Sequence, residues 1–295
     1  MKISLLTPTY NRKEEIKKLY KSLQTNYKTF KDFEWIVMDD GSVDGTREQF
    51  DKWIKEATFK IDYHYHENVG KQEEINDSIQ YVTGDIVIEI DSDDYFVDNA
   101  LKMVSDDYET LGDKNVYGIL YKRLLGSKDT TVLPELNNQV VTLFDIHNKY
   151  GYDFDMNLTF KTEVRKKYFY KVEKGEKFVT EARLYYKLDQ LYDGLLFKDI
   201  DLVYGEYMNE GYSKNINKIF KKYPKGYHEY FKECLTYIKP DTKFKRRLYF
   251  IKHYILFSYL TNTKKSTVIK EAKGFLNKLL TIILVIPGYI KSKKF

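Results

Sequence analysis

The chain has 295 residues, of which 42% are hydrophobic, and its one cysteine, Cys234, excludes an intrachain disulfide. This length can form one large domain or two smaller ones, and the plentiful leucine, isoleucine and valine exclude an intrinsically disordered chain. The net charge of +5 conceals a basic stretch at 210–295, with 18 lysines and 2 arginines against 5 acidic residues, which predicts an anionic partner for that end of the chain.

The first 111 residues alternate short apolar runs with amphipathic segments. Strands are predicted at Lys2–Pro8, Glu34–Met38, Lys60–Tyr65 and Asp85–Ile90, and helices at 12–25, Thr46–Ala57, Lys71–Val82 and Asp98–Leu111. This alternation indicates βαβ units and a parallel sheet. Ligands of such sheets bind at the carboxyl ends of the strands. We therefore expect the polar clusters that follow the four strands to converge on one edge.

The second half of the chain is less regular. Val116–Leu125 and Leu195–Tyr204 are predicted strands, and Thr180–Tyr192 is a predicted helix. After Gly211 the pattern becomes helical, aromatic and basic. The predicted domain boundary therefore lies between residues 210 and 211.

The second predicted strand ends in the turn DDGSVDGT, which begins with Asp39 and Asp40. A carboxylate at a strand tip can accept a hydrogen bond from a ribose hydroxyl or from the N–H of a base. The alternative is a structural strand-to-helix turn in which Ser42 or Asp44 caps the following helix. The sequence of this turn leaves both interpretations open.

The fourth predicted strand runs into IDSDD, which places Asp91, Asp93 and Asp94 within four residues. Carboxylates this close repel one another, and a divalent cation would offset the repulsion. Mg²⁺ usually takes one or two carboxylates together with substrate phosphates, and the cation could neutralise a diphosphate leaving group. The alternative is a solvated acidic turn in which Asp94 or Asp98 caps the next helix.

Four motifs in this order, TPTYNR, DDGSVDGT, NVGKQEEIN and IDSDD, resemble the nucleotide-sugar domain of family-two glycosyltransferases of the bacterial cell-surface polysaccharide type. The resemblance covers residues 1–98, weakens over 99–210 and is not recognisable beyond. It implies an α/β, Rossmann-like GT-A fold with a mainly parallel sheet flanked by helices. Residues 1–98 would bind the nucleotide sugar, 99–210 would form the acceptor side, and 211–295 would be a helical, basic and aromatic extension.

The resemblance also implies roles for individual residues. The positions that it assigns to the nucleotide sugar are Thr7, Pro8, Tyr10, Asp40, Asn68, Gly70, Lys71, Asp91 and Ser92. Asp40 would hold the base, typically uracil. Asp91 and Asp93 would form the D-x-D pair that binds Mn²⁺ or Mg²⁺.

Inverting members of the family need a carboxylate base that takes the proton of the acceptor hydroxyl. Glu181, in GEKFVTEARLYYKL, is the best match, and Glu176 is the alternative. A helix-start glutamate that interacts only with the helix dipole is a further interpretation. The segment Gly205–Asn215 resembles a loop that closes the acceptor side, where Tyr207 and Ser213 would contact substrate.

The basic end mixes cations with aromatic and aliphatic residues in Lys243–Leu260 and Lys264–Phe295, as do helices that lie in a membrane interface. Its longest apolar run, Leu279–Ile290, is shorter than the roughly 20 residues that span a bilayer. We therefore expect peripheral contact with an anionic membrane, and a cytoplasmic location on the inner face of the cell membrane. The alternative is a helical subdomain that packs on the catalytic domain or in an oligomer. No nucleic-acid motif is present.

The predicted function is an inverting, metal-dependent hexosyl- or N-acetylhexosaminyltransferase. It would move a sugar from a nucleotide donor, typically a UDP-sugar, to a hydroxyl of a cell-surface glycan or lipid-linked intermediate. One alternative is a catalytically silent nucleotide- or glycan-binding module of the same fold. The other is a sugar-nucleotide nucleotidyltransferase, although TPTYNR lacks the glycine-rich triphosphate loop of those enzymes.

Overall fold

The structure is a computed structural model that describes residues 1–125, 134–152, 156–205, 216–240 and 242–293. The chain divides into two compact units. Unit 1 comprises Met1–Thr142, Phe154–Phe169 and Tyr192–Met208, and unit 2 comprises Leu143–Asp153, Tyr170–Leu191 and Asn209–Phe295. A cut at residue 210 does not separate these units, because two earlier segments belong with the C-terminal helices.

Unit 1 is built on a nine-stranded sheet. Its strands are β1 (Ile3–Thr9), β2 (Phe33–Asp39), β3 (Lys60–Tyr65), β4 (Ile86–Glu89), β5 (Tyr95–Phe96), β6 (Val116–Leu125), β7 (Val140–Val141), β8 (Met156–Lys161) and β9 (Gly194–Gly205). Its helices are α1 (Ile16–Asn26), α2 (Thr46–Glu56), α3 (Lys71–Ser78), α4 (Ala100–Glu109) and α6 (Thr162–Arg165).

The strand order is β3-β2-β1-β4-β8-β6-β9-β5, and β7 pairs with β9. Strands β1 to β4 are parallel, as predicted. Strand β8 then lies antiparallel between β4 and β6, so the sheet is mixed. The predicted fold class, an α/β sheet flanked by helices, is confirmed.

The central strands are buried along their whole length because helices cover both faces of the sheet. All seven residues of β1 and all seven of β2 are buried. On one face, Trp35 of β2 packs with Phe50 and Trp53 of α2 and with Tyr20 of α1. The apolar residues of α1 recur three and four positions apart, so this helix presents one continuous stripe to the core.

Glu34, in β2 near its amino end, is fully buried and fully hydrogen-bonded. Its carboxylate accepts from the Ser4 hydroxyl at 2.7 Å, the Thr83 N–H at 2.8 Å and the Lys2 ammonium at 3.0 Å. Burial alone would raise the pKa of Glu34, but these donors outweigh it and lower the pKa to about 2. The acid is therefore ionised in the core at neutral pH.

Unit 2 is helical in its described residues. Its helices are α5 (Leu143–Asp145), α7 (Ala182–Leu188), α8 (Ile216–Lys222), α9 (Pro224–Tyr237), α10 (Phe244–Leu260), α11 (Lys265–Glu271) and α12 (Phe275–Ser292). The core is aromatic: the Phe257 ring of α10 lies 5.4 Å from Phe231 and 5.1 Å from Tyr227, both of α9. Phe250, Tyr254 and Phe257 of α10 are thus buried within the unit, whereas Phe244 and Tyr249 are exposed.

Arg183 joins α7 to α9 inside unit 2. Its guanidinium is buried and lies 3.0 Å from a Glu173 oxygen and 2.9 Å from a Glu233 oxygen. Removing one partner of such a buried ion pair is strongly destabilising. Arg183 therefore has a structural role here.

Candidate active site

The loops that follow β1 and β2 are joined at the carboxyl edge of the unit 1 sheet. The Ser42 hydroxyl accepts from the Asn11 N–H at 2.8 Å, and Asp44 accepts from the Lys13 N–H at 3.0 Å. Asp44 also accepts from the Thr46 N–H at 3.1 Å at the start of α2. Ser42 and Asp44 therefore hold these two loops together, and Asp44 caps the helix as well.

Asp39 and Asp40, at the end of β2, are both buried. Asp39 accepts hydrogen bonds from the Tyr63 hydroxyl and from the N–H of Ser42 at 2.8 Å. The carboxylate is thus held by the neighbouring strand and by its own turn. Its role in this structure is to fix the turn.

Asp40 holds the loop that leads into α3. Its carboxylate accepts from the side-chain amide of Asn68 at 2.8 Å, from the N–H of Gly70 at 3.0 Å and from the N–H of Val69. Gly41 lies under this loop at φ +90°, and a Cβ there would come within 3.3 Å of the Asn68 nitrogen. Asp40, Asn68 and Gly70, which the sequence assigns to one nucleotide site, are therefore brought together. The structure shows Asp40 binding main-chain donors, and its contact with a base stays a prediction.

Glu74 of α3 is a buried carboxyl that the sequence analysis did not identify. Burial, together with the negative charge of Asp40, raises the pKa of Glu74 to about 8. The His66 ring packs against it, with Nδ1 3.3 Å from Glu74 Oε2. A glutamate in an amphipathic helix gives no sequence signal for such a position.

The acidic turn after β4 is partly neutralised by fixed cations. Lys71 Nζ lies 2.6 Å from Asp91 Oδ1, and Arg123 Nη2 lies 2.5 Å from Asp94 Oδ1. The Asp94 N–H donates to the Asp91 carbonyl at 3.0 Å and closes the turn. Lys71, at the first position of α3, thus connects the Asp40 loop to this turn.

The carboxyls of this turn have different pKa shifts. Burial would raise the pKa of Asp91, but Lys71 and the charges of Arg123 and Arg12 hold it below its usual range. Burial and then the charge of Asp91 raise the pKa of Asp93. Burial and the charges of Asp91 and Asp93 outweigh Arg123 and raise the pKa of Asp94 to about 7. The surroundings therefore oppose the ionisation of both Asp93 and Asp94.

This turn fits a divalent cation. Asp91 and Asp93 offer hard oxygen donors, and a cation between them would offset the repulsion that raises the pKa of Asp93. Over the described ranges, no group of three or more His, Cys, Asp or Glu side chains is placed to hold a metal. One or two carboxylates from the protein leave the other coordination positions to water and substrate phosphate, as Mg²⁺ prefers.

The predicted site residues at the carboxyl end of β1 differ in their exposure. Thr7 is fully buried, and its hydroxyl accepts from the Trp35 indole N–H at 2.9 Å. Its side chain therefore packs in the core of unit 1 rather than lining an open pocket, because strand alternation turns it to the Trp35 face. Pro8 is also buried, whereas Tyr10 is 50% exposed. Ser92 is buried inside the acidic turn.

Two arginines at the acidic turn are absent from the predicted site. Arg12 stands in TPTYNR, so its motif was visible. Its positive charge helps to lower the pKa of Asp91 and partly opposes the rise in the pKa of Asp93. Arg123 comes from β6, 29 residues after its partner Asp94. No local pattern could have identified that pair.

Unit 2 holds both candidates for the base. The Glu176 carboxylate accepts from the N–H of Lys225 at 2.7 Å and of Gly226 at 2.8 Å, so it caps the first turn of α9. Glu181 precedes α7, and its Oε2 accepts from the Tyr185 hydroxyl at 3.4 Å. The structure therefore gives Glu176 a capping role, and Glu181 remains the predicted base. Tyr207 and Ser213 lie outside the described residues.

Comparison with known proteins gives a family match over more than half of the chain. The model of the family described as glycosyl transferase family 2 matches residues 4–171. Abequosyltransferase RfbV of Salmonella typhimurium is 33% identical over 105 residues, which are 35% of this chain and 32% of RfbV. Poly(ribitol-phosphate) beta-N-acetylglucosaminyltransferase TarS of Staphylococcus aureus is 31% identical over 102 residues, 35% of this chain and 18% of TarS. The match spans a third or less of these relatives.

Solved structures resemble the chain over its whole length. TarS 1-349 of S. aureus in complex with UDP-GlcNAc superimposes with a TM-score of 0.64 at 16% identity, covering 100% of this chain and 91% of that one. The mannosyltransferase PcManGT of Pyrobaculum calidifontis, in complex with GDP-Man and Mn²⁺, gives a TM-score of 0.56 at 16% identity, covering 99% and 82%. At this identity the likeness shows a shared GT-A fold.

Proposed function

The chain belongs to glycosyltransferase family 2, and we propose that it transfers a sugar from a nucleotide-sugar donor to an acceptor hydroxyl with inversion at the anomeric carbon. The transfer would depend on Mn²⁺ or Mg²⁺. The acceptor would be a cell-surface glycan or a lipid-linked intermediate, and the sugar a hexose or N-acetylhexosamine.

The observation that carries this proposal is the arrangement at the carboxyl edge of the sheet. The Asp91–Asp94 turn and the loop held by Asp40 are joined through Lys71, which lies 2.6 Å from Asp91. A cation at the turn and the Lys71 ammonium would together face the diphosphate of a donor. Open α/β sheets bind nucleotides at this edge.

In this mechanism Asp91 and Asp93 would hold the cation, and Lys71 favours the ionised form of Asp91. The bound cation would supply charge neutralisation for the departing diphosphate. Glu181 takes the proton of the acceptor hydroxyl while the oxygen of that hydroxyl bonds to the anomeric carbon. The bond between that carbon and the diphosphate breaks in the same displacement, and the nucleoside diphosphate leaves.

A UDP-sugar is the proposed donor. The similar structure of TarS holds UDP-GlcNAc, although the PcManGT structure holds GDP-Man. The test is a donor screen with UDP-, GDP- and dTDP-sugars, with and without Mn²⁺. Metal-dependent release of one nucleoside diphosphate supports the proposal.

Two added assays, nucleotide binding by calorimetry and incubation with a nucleoside triphosphate and a sugar phosphate, separate the alternative functions. A silent binding module would bind nucleotide without turnover in the presence of acceptor mixtures. A nucleotidyltransferase would instead join a nucleoside triphosphate to a sugar phosphate, forming a nucleotide sugar and releasing pyrophosphate. Either result would contradict sugar transfer.

A cytoplasmic location on the inner face of the cell membrane completes the proposal. The 18 lysines and 2 arginines of 210–295 support it, since each cation near an anionic leaflet contributes about 1 kcal/mol. A lipid-linked acceptor on the same surface would be at a high effective concentration.

A further inference from the structure

Helix α12 presents its apolar side to the outside of unit 2. The apolar residues that are at least two-fifths exposed are Phe275, Leu276, Leu279, Ile282, Ile283, Ile286 and Ile290. Their spacings of one, three and four residues place them on one face of the helix. A helix that covers the core of a soluble protein buries its apolar face, whereas α12 exposes it.

The opposite face of α12 is buried and largely polar or small. Its buried residues are Asn277, Thr281, Val285 and Ser292, and Gly288 lies against Ile255 of α10. Asn277 accepts from the Arg247 guanidinium at 2.6 Å and donates to the Leu235 carbonyl at 3.2 Å. These polar contacts fix the rotation of α12, so the apolar face is held outward.

The length of α12 bears on the expectation that this end of the chain does not cross a membrane. Among the described residues, α12 is the helix that is long and apolar enough to cross a membrane by length and composition. Helix α12 continues on both sides of the apolar run Leu279–Ile290. Length alone therefore does not decide between spanning the bilayer and lying on it.

The contacts of α12 favour lying on the bilayer. To span, the helix would have to leave α10 and carry Asn277 into the hydrocarbon, and it would leave buried Arg247 without that partner. Unsatisfied polar groups in lipid cost several kcal/mol each. A helix that stays on α10 satisfies them and still offers its whole apolar face.

The charges around this face select its occupant. Lys273, Lys278, Lys291 and Lys293 are exposed at the ends and flanks of α12, and no acidic residue follows Glu271. Two copies of this chain would bring like charges together. Anionic lipid headgroups above an acyl layer match both the cations and the apolar stripe.

We propose that the α12 face inserts parallel to the surface of an anionic bilayer, on one leaflet, while α12 remains packed on α10. This deepens the proposed function by naming the partner and the mode of attachment. Apolar burial would then hold the protein on the membrane when salt screens the lysines. Binding is measured without donor or acceptor, so its outcome is independent of sugar transfer.

The main experiment is sedimentation of the full chain with vesicles of phosphatidylcholine and phosphatidylglycerol, in 0.1 M and 1 M salt. We expect the wild-type chain to remain largely bound in 1 M salt. The double variant Ile282→Asp/Ile286→Asp should lower the vesicle partition coefficient at least tenfold, because both carboxylates would enter the apolar layer. The matched control is Ile54→Asp on α2, since Ile54 is 47% exposed and Ile282 is 49% exposed.

Folding and self-association are measured in parallel. Circular dichroism and thermal unfolding verify the double variant, and Ile282→Gln/Ile286→Gln replaces it if it is unfolded. Unchanged vesicle binding of a folded variant would overturn the proposal. Complete release of the wild-type chain in 1 M salt would also overturn it. A third contradicting result would be a dimer that forms without lipid and is abolished in the variant, with neither protein binding vesicles.

A disulfide tests whether α12 stays on α10. An ideal Cβ at Gly288 would lie 3.6 Å from the Ile255 Cβ, within the range of a disulfide. The oxidised double variant Ile255→Cys/Gly288→Cys should bind vesicles within twofold of its reduced form. Loss of binding on oxidation, restored by reduction, would show that α12 must leave α10 and would overturn the parallel arrangement.

Discussion

Unit 1 has two acidic turns at one edge of its sheet. Asp39 and Asp40 lie at the end of β2, and Asp91 to Asp94 follow β4. The carboxylates of the first turn accept several hydrogen bonds. Those of Asp40 come from the Asn68 side chain and from the N–H groups of Val69 and Gly70. In the second turn, burial and neighbouring carboxylates raise the pKa of Asp93.

Unit 2 repeats the contrast with two glutamates. Glu176 accepts hydrogen bonds from two main-chain N–H groups at the start of α9, whereas Glu181 accepts one from the Tyr185 hydroxyl at 3.4 Å. Carboxylates that bind main-chain donors stabilise the fold. Carboxylates that repel one another, or that accept from a side-chain hydroxyl, are better placed for a cation or a proton. The following predictions test this distinction.

The largest effect is expected for the base. Glu181→Gln should lower transfer by ~10²–10⁴-fold, because an amide cannot take the acceptor proton. Donor binding, measured by calorimetry, should be retained. The matched variant Glu176→Gln should transfer sugar near the wild-type rate, and a reversed result would move the role to Glu176.

The metal pair should show the next largest effect. Asp93→Ala should lower UDP affinity in Mn²⁺ by roughly 100-fold, because the cation loses a ligand whose charge stabilises the diphosphate. The melting temperature should not fall, since the change removes a repelled carboxylate. Calorimetry with UDP, with and without Mn²⁺, measures the effect, and Asp98→Ala on the exposed side of the turn is the control. Unchanged affinity would remove Asp93 from the metal site.

Glu34 extends the comparison to the opposite end of the strands. Its pKa is about 2 in the folded chain against an ordinary value of 4.5, so its ionised form stabilises the fold above the ordinary value. About 3 kcal/mol should be lost as the pH falls from about 4.5 to 2. Denaturant unfolding of wild type and Glu34→Gln across this range measures it. Glu48→Gln, exposed on α2, is the control, and equal pH slopes for Glu34→Gln and wild type would contradict the assignment.

Asp40 should mainly affect stability. Asp40→Ala leaves the N–H groups of Val69 and Gly70 without their acceptor, which should cost about 2 kcal/mol. Urea unfolding measures the loss, and Asp93→Ala is the matched comparison in the other turn. If Asp40→Ala weakened nucleotide binding without lowering the free energy of unfolding, the carboxylate would act on the ligand rather than on the loop.

The parts of unit 1 that the sequence could predict depend on local pattern. Strand β3 begins and ends where the sequence predicts, and β1, β2 and β4 differ from the prediction by one residue at each end. The acidic turns were likewise visible as residues that follow apolar runs. Strand β8 was not predicted, because its position between β4 and β6 is decided by pairing with distant strands.

The rest of the site depends on contacts between residues far apart in the chain. Asp39, Asp40 and Asp91 have the same residue type, and only the donors around each one distinguish its role. The burial of Glu74 and the pairing of Asp94 with Arg123 have no local signal. Similarly, the apolar content of α12 was visible, but the side that packs on α10 was not.

The position of β9 has a consequence for synthesis on the ribosome. Strand β9 pairs with β5, β6 and β7, all of which precede it in the chain. In a nascent chain that has reached β8, β6 can pair with β8, but the side of β6 that later pairs with β9 is an open sheet edge. Such edges promote aggregation. Arg183 is in a similar position, because it emerges 50 residues before Glu233. Translation speed between residues 160 and 240, and chaperones that cover open strand edges, should therefore govern how much of the chain folds.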